Sequence, residues 1–227
     1  MEYPKINSLW KREDPRLPGS RGNGKIHSLI EGDYAKQEFA AIDKWRVEEK
    51  IDGTNIRIYF SINREVDAQS KHCSFGYVFD IKGRTSEAVI PNGLEDWIYN
   101  KRLEVGLGNL GLIKGILYGE GFGAGIQSGG IYRPDKAFIL FDCYTNRWST
   151  REELKTIAEA LNLETPHDLG MMTRDDIISF VKSKPHGFYG DKKYIMEGIV
   201  ARSEPLMRFN TISADPVMWK LKVKDFK

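Results

Sequence analysis

Trp45-Arg46-Val47-Glu48-Glu49-Lys50-Ile51-Asp52-Gly53-Thr54-Asn55-Ile56-Arg57-Ile58-Tyr59-Phe60 is the stretch on which the fold of this chain turns. Residues 45–51 and 55–60 are rich in apolar, β-branched and aromatic side chains, and the Asp52-Gly53 pair between them is common in tight turns. Two strands joined by a short turn are expected, with Lys50 at the end of the first. A lysine followed by any residue and then Asp-Gly arises by chance in roughly one chain in twenty of this length. Its plain reading is a hairpin with a solvated lysine. Its sharper reading is a nucleophilic lysine held where a phosphate can approach the backbone.

Outward from this stretch the pattern stays rich in strands. Residues 75–81, 111–118, 137–144, 194–201 and 217–223 read as further strands, and helices are expected over 34–43, 94–103, 151–161 and 174–182. Thr150 with Glu153, and Thr173 with Asp176, have the spacing of capping boxes before the last two helices. The Pro- and Gly-rich run 13–24 reads as a loop. Strands interrupted irregularly by helices argue for an α+β fold with largely antiparallel sheets, not a regular βαβ winding. The 227 residues fit one domain spanning 1–227.

Composition removes several classes. No apolar run approaches the length that crosses a bilayer, and the first ten residues lack the layout of a secretory signal, so a soluble intracellular protein with no membrane partner is expected. Two cysteines, Cys73 and Cys143, and four scattered histidines assemble neither a disulfide framework nor a zinc cluster from local spacing, and the adjacent His72-Cys73 lacks partner ligands. A net charge of +2 does not announce a polyanion partner, although the basic segments 11–25 and 220–227 concentrate positive charge locally.

Four other segments carry residues suited to phosphate chemistry. Glu120 is read as a carboxylate at a strand end inside the glycine-rich run 117–123, and Phe141 as an aromatic on a strand. Glu197 is read as an acid in the middle of an apolar strand, where an unpaired charge is expensive. In Trp219-Lys220-Leu221-Lys222 the alternation puts Lys220 and Lys222 on one strand face, and two cations on one face call for an anion. Each segment also has an ordinary reading: an exposed turn residue, a core aromatic, a charged edge strand.

Taken in order, Lys50-Ile51-Asp52-Gly53, Gly83-Arg84, Gly119-Glu120, Phe141-Asp142, Glu197-Gly198 and Lys220-Leu221-Lys222 resemble the ordered motifs of the covalent nucleotidyltransferases, which include ATP-dependent polynucleotide ligases and mRNA capping enzymes. Within them the chain looks most like the type 2 RNA ligases of phages and bacteria. Tyr3-Pro4-Lys5-Ile6, the extension through Arg57 and the loop to Gln127 are similar to that group, and Asn55 stands where DNA ligases usually carry arginine.

The resemblance implies a nucleotidyltransferase (adenylation) fold, with antiparallel sheets and helices flanking a nucleotide cleft. It gives Lys50 the attack on the α-phosphate of ATP, with Glu49 and Asn55 beside the nucleotide. Arg84 and Glu120 would contact the ribose, Phe141 would stack on adenine, Glu197 would hold Mg²⁺ or Mn²⁺, and Lys220 and Lys222 would hold the phosphates. The implied sequence is enzyme adenylylation, AMP transfer to a 5′-phosphate RNA end, and sealing by a 3′-hydroxyl, on broken or nicked RNA. A monomer in a bacterial or phage-infected cytoplasm is expected, without the added C-terminal domain of larger ligases. The rival readings are a minimal DNA ligase, a GMP-transferring capping enzyme and a non-catalytic RNA-binding module. A dinucleotide site at 119–124 is disfavoured because its glycines open no helical pattern.

Overall fold

A computed structural model of the chain describes residues 1–13, 28–62, 73–74, 76–85, 87–190 and 193–226. The elements in chain order are β1 (Asn7–Ser8), β2 (Trp10–Arg12), β3 (Leu29–Tyr34), α1 (Gln37–Ala41), β4 (Lys44–Lys50), β5 (Thr54–Ile62), β6 (Cys73–Ser74), β7 (Tyr77–Gly83), α2 (Leu94–Asn100) and α3 (Leu103–Asn109). They continue with β8 (Lys114–Gly123), β9 (Lys136–Tyr144), α4 (Arg151–Ala160), β10 (Asp168–Thr173), α5 (Arg174–Lys182), β11 (Gly198–Arg202) and β12 (Met218–Lys222). The expected α+β class with mostly antiparallel sheets is what the chain adopts. Most of the basic loop, and His27 and His72, lie outside the described residues.

The chain divides into two interleaved units. One comprises Pro4–Lys50, His167–Phe188 and Tyr194–Lys227. Its five-stranded sheet runs β1-β12-β11-β4-β10, antiparallel throughout except for the parallel β1–β12 pair, and a separate ribbon pairs β2 with β3. Period-two alternation decides what each face does. Trp45, Val47, Ile199, Ala201, Trp219 and Leu221 are buried on one face, where the Trp45 and Trp219 rings meet edge to face at 5.4 Å and Phe39 of α1 packs against Trp45. Each large apolar side chain so buried contributes about 1.5–3 kcal/mol before chain entropy is counted. The opposite face carries Arg46, Glu48 and Lys50 of β4, Arg202 of β11, and Lys220 and Lys222 of β12.

The second unit comprises Met1–Tyr3, Ile51–Pro166 and Tyr189–Lys193, with a fully antiparallel sheet ordered β6-β7-β5-β8-β9. Ile56, Ile58 and Phe60 of β5 pack with Leu117, Phe138 and Leu140 and with the apolar faces of α2, α3 and α4. Helix α4 has the expected reciprocal cap, Thr150 Oγ1 accepting from Glu153 N and the Glu153 carboxylate from Thr150 N.

Four sequence expectations change. Asp52-Gly53 is not a hairpin turn: β4 and β5 belong to different sheets, and the dipeptide carries the chain from one to the other. Glycine is needed there because a Cβ at Gly53 would lie 2.3 Å from the Gly121 carbonyl oxygen. Glu120 lies within β8, which runs through the glycines to Gly123 instead of ending before them. Glu197 immediately precedes β11 instead of sitting in its middle. The single helix expected over 94–103 is two, α2 and α3, broken where Arg102 takes a left-handed conformation at φ 53°.

Candidate active site

The register of the first sheet assembles the centre. Lys50 pairs with Gly198, and Gly198 pairs with Lys222, so one row across β4, β11 and β12 reads Lys50, Gly198, Lys222. Two residues along, the parallel row is Glu48, Val200, Lys220, Ser8. Gly198 adds no side chain to its row. A Cβ there would lie 2.0 Å from the Leu221 carbonyl oxygen, so the glycine lets β12 approach closely. Glu197 bridges the two row lysines: Lys50 Nζ donates to its Oε2 at 2.7 Å, and Lys222 Nζ donates to its Oε1. The side chains of Lys50, Glu197 and Lys222 are 19%, 12% and 20% exposed, so the cluster is shielded but open to a ligand.

Lys220 completes the cluster. Burial first, then the charges of Lys50 and Lys222, push its ammonium down to about 8. Three lysines and one carboxylate leave an excess of positive charge in a partly desolvated place, a suitable environment for phosphate oxygens.

Glu49 was expected beside the nucleotide, but its side chain points into the opposite, buried face, as alternation with Lys50 demands. Tyr194 Oη donates to its Oε1 at 2.7 Å and Phe188 N to its Oε2 at 2.9 Å. Burial raises its pKa, and those two hydrogen bonds pull it partly back. The carboxylate therefore anchors β4 on the face opposite Lys50. On the polar face, Glu48 and Arg202 form a buried ion pair at 3.6 Å.

Asn55, Arg84, Glu120 and Phe141 all belong to the second unit. Asn55 and Glu120 are directly paired across β5 and β8, and the Asn55 Oδ1 is buried without a hydrogen-bond partner. Arg84 is exposed just beyond the end of β7. Phe141 lies in β9, where the Tyr3 ring meets it edge-on at 4.9 Å and the Tyr3 hydroxyl donates to Asp142 at 2.8 Å. In the same unit Asp52 N donates to the Tyr132 hydroxyl at 3.0 Å, fixing the start of the crossing. Sequence reasoning passed over Tyr194 and Tyr132, which carry no signal, and quoted Gly198 in the Glu197-Gly198 pair without giving it a role.

No group of three or more His, Cys, Asp or Glu side chains among the described residues is disposed to hold a metal ion. Glu197 alone still fits a hard divalent cation of the kind that takes one or two protein carboxylates and draws its other ligands from substrate phosphates and water.

The mixed α+β architecture with mostly antiparallel sheets is a nucleotidyltransferase-type fold shared with solved RNA ligases. The RNA ligase family model matches residues 43–221, and the chain belongs to that family. No curated protein sequence matches it. Among solved structures, a mutant of the Naegleria gruberi RNA ligase without ligand is 18% identical at a TM-score of 0.54, covering 79% of this chain and 49% of that one. A mutant of the same ligase with ATP and Mn is 18% identical at a TM-score of 0.53, covering 81% and 52%. Another, with AMP and Mn, is 18% identical at 0.53, covering 79% and 49%. This chain thus spans about half the length of the solved ligases it matches.

Proposed function

We propose that this chain is an ATP-dependent RNA ligase of the type 2 kind, in which Lys50 forms a covalent lysyl-AMP. The observation that carries the reading is the Glu197 bridge between Lys50 and Lys222, with Lys220 one pleat away on the same face. The Naegleria ligase mutants solved with ATP and Mn, or with AMP and Mn, share the fold and lend support to a nucleotide and a divalent cation here.

In this reading the resting Lys50 is an ammonium held by Glu197. A free lysine with pKa near 10.4 is neutral in only about one molecule in two thousand at pH 7, and only the neutral amine attacks. Making it neutral means disfavouring the ammonium by roughly 4 kcal/mol, about three pH units. Lys220 and Lys222 contribute by repulsion. A Mg²⁺ or Mn²⁺ ion held by Glu197 would add positive charge beside the amine and the phosphate oxygens and would engage the carboxylate that otherwise stabilises the ammonium. Lys50 Nζ then bonds to the α-phosphorus as the bond to the pyrophosphate oxygen breaks, and the amine gives up its proton. Lys222 and Lys220 neutralise charge on the phosphate oxygens, the main protein contribution in phosphoryl-type transfer.

The same proposal assigns Arg84 and Glu120 to the ribose, Asn55 to the nucleotide through its unpartnered Oδ1, and Phe141 to the adenine. AMP passes next to a 5′-phosphate RNA end, and a 3′-hydroxyl displaces it. Residues 1–227 act as one adenylation domain in a cytoplasmic monomer.

The test is a radiolabelled adduct formed from labelled ATP and a divalent cation, with GTP as a comparison, followed by sealing of nicked RNA and nicked DNA. Lys50→Ala abolishes the adduct, and Lys50→Arg does too, because a guanidinium stays protonated. An adduct persisting in Lys50→Ala would overturn the assignment of the nucleophile.

A further inference from the structure

The last backbone donor of β12 does not meet a strand. Pairing with β1 stops at Lys220, whose carbonyl oxygen accepts from Leu9 N at 3.2 Å. On the other side Val223 N donates to Glu197 O at 2.9 Å, so Lys222 N, one residue earlier, points away from β11. Its acceptor is Asp225 Oδ2 at 3.0 Å, brought round by the single turn Val223–Asp225 that follows the strand. The other oxygen of that carboxylate, Oδ1, accepts from Arg12 Nη2 at 3.0 Å, and the same nitrogen donates to Ser8 Oγ at 2.9 Å. Ser8 is the register partner of Lys220. One guanidinium on β2 is thus tied, through two short links, to the backbone positions of both lysines.

Burial shows how closely this arrangement is built. The Asp225 side chain is 2% exposed and that of Arg12 32%. A buried carboxylate needs a donor on each oxygen, and Lys222 N and Arg12 supply them. Phe226, next in the chain, meets the Trp10 ring of β2 edge to face at 6.1 Å and lies beneath Lys182 Nζ at 5.1 Å, which holds the turn against the ribbon. Without Asp225 the outer edge of Lys222 would have no partner, and a strand end of that kind frays. We propose that Arg12 and Asp225 are positioning residues for nucleotide binding: their clasp fixes the end of β12 so that Lys220 and Lys222 present both ammonium groups on the polar face. They act through the two lysines, so the inference rests on Lys220 and Lys222 holding the phosphates.

Calorimetric ATP binding without divalent cations, on the 227-residue chain, tests the clasp in a double-mutant cycle with Lys222. Asp225→Asn keeps one acceptor oxygen but turns an amide NH2 group toward the other donor. Verified as folded by its melting temperature, it is expected to weaken ATP binding about tenfold. In a Lys222→Met background the same substitution is expected to change ATP affinity less than about twofold, because the residue it positions no longer holds phosphate. An equal loss in both backgrounds would mark a general effect on the fold and overturns the clasp. So does unchanged affinity in Asp225→Asn. Arg12→Gln, at a partly exposed side chain, gives a second variant should Asp225→Asn not fold. It is expected to weaken ATP binding in the same way, and Arg12→Lys, which keeps the charge and a donor, to restore it; full affinity in Arg12→Gln overturns the clasp. Unchanged ATP affinity in Lys222→Met alone would sink the phosphate role of that lysine, and the clasp with it. A loss in Lys222→Met that neither Asp225→Asn nor Arg12→Gln shares sinks the clasp and leaves the phosphate role standing.

Discussion

At neutral pH the ammonium of Lys220 is held among other cations in a partly dry place, which lowers its pKa from 10.5 to about 8. A bound phosphate group favours the charged form and so raises that pKa. Affinity and pKa belong to one thermodynamic cycle. If binding restores the ordinary value, charged Lys220 holds the anion about 300-fold more tightly than neutral Lys220, from a difference of about 2.5 pH units. Roughly nine in ten Lys220 side chains are charged at pH 7 and one in ten at pH 9. Measured without divalent cations and taken relative to Lys220→Met, which cancels the titration of ATP itself, ATP affinity should therefore fall about tenfold between pH 7 and pH 9. At pH 8, calorimetry in buffers of different ionisation heat should register uptake of about half a proton per ATP bound. Lys220→Met should bind more weakly and lose this dependence. A flat profile in the unmodified protein, or the same slope in Lys220→Met, would refute the argument. The sign for stability follows from the same pKa. Because the folded value lies below the unfolded one, the charged side chain disfavours the folded state fully below pH 8, and the penalty is relieved as pH rises toward 10.5. Lys220→Met should thus raise the melting temperature at pH 7 and gain less at pH 10.

Gly198→Ala should cost about 1–3 kcal/mol in chemical denaturation and abolish adduct formation, because the added methyl displaces the β12 backbone and carries Lys222 out of its row. Arg202→Met should cost roughly 3–5 kcal/mol by leaving Glu48 charged and buried, and Glu48→Met in the same chain should recover much of the loss; a denaturation double-mutant cycle reads both. Tyr194→Phe should destabilise by about 1.5–3 kcal/mol, since it removes a hydroxyl donor from the buried Glu49 carboxylate. With the Glu49 pKa raised in the folded state, that carboxylate's ionisation opposes folding as pH climbs past the ordinary 4.5, so Glu49→Gln should remove a loss of stability that the unmodified protein shows as pH rises from 4.5 through the raised folded value.

Much of the fold could be read from periodicity. Helix α5 spans the expected 174–182, and α4 starts at the expected Arg151, where its cap is written in Thr150 and Glu153, and ends one residue short of its expected bound. What local pattern could not show was partnership between distant strands. Asp52-Gly53 suits a hairpin on its own terms, and nothing nearby reveals that Gly53 must instead clear the Gly121 carbonyl. Strand β10 went unread because Asp168-Leu169-Gly170-Met171-Met172-Thr173 holds a glycine at φ 82° and only one β-branched residue; it is a strand because β4 offers an edge, with a register shift between Asp168 and Gly170.

The burial of Glu49 follows from a rule the sequence already contained. Neighbours in a strand point to opposite faces, so a lysine aimed at a ligand places the preceding glutamate in the core. There Tyr194 and Phe188 meet it with donors, and its anchoring helps fix the register of β4. A slip of one residue would exchange the two faces, burying Lys50 and presenting Glu49 on the polar face beside Lys220 and Lys222. The Glu49-Lys50 pair therefore specifies the site from both sides of the sheet at once. In the observed register the acid meets the donors of Tyr194 and Phe188 while the adjacent amine reaches Glu197.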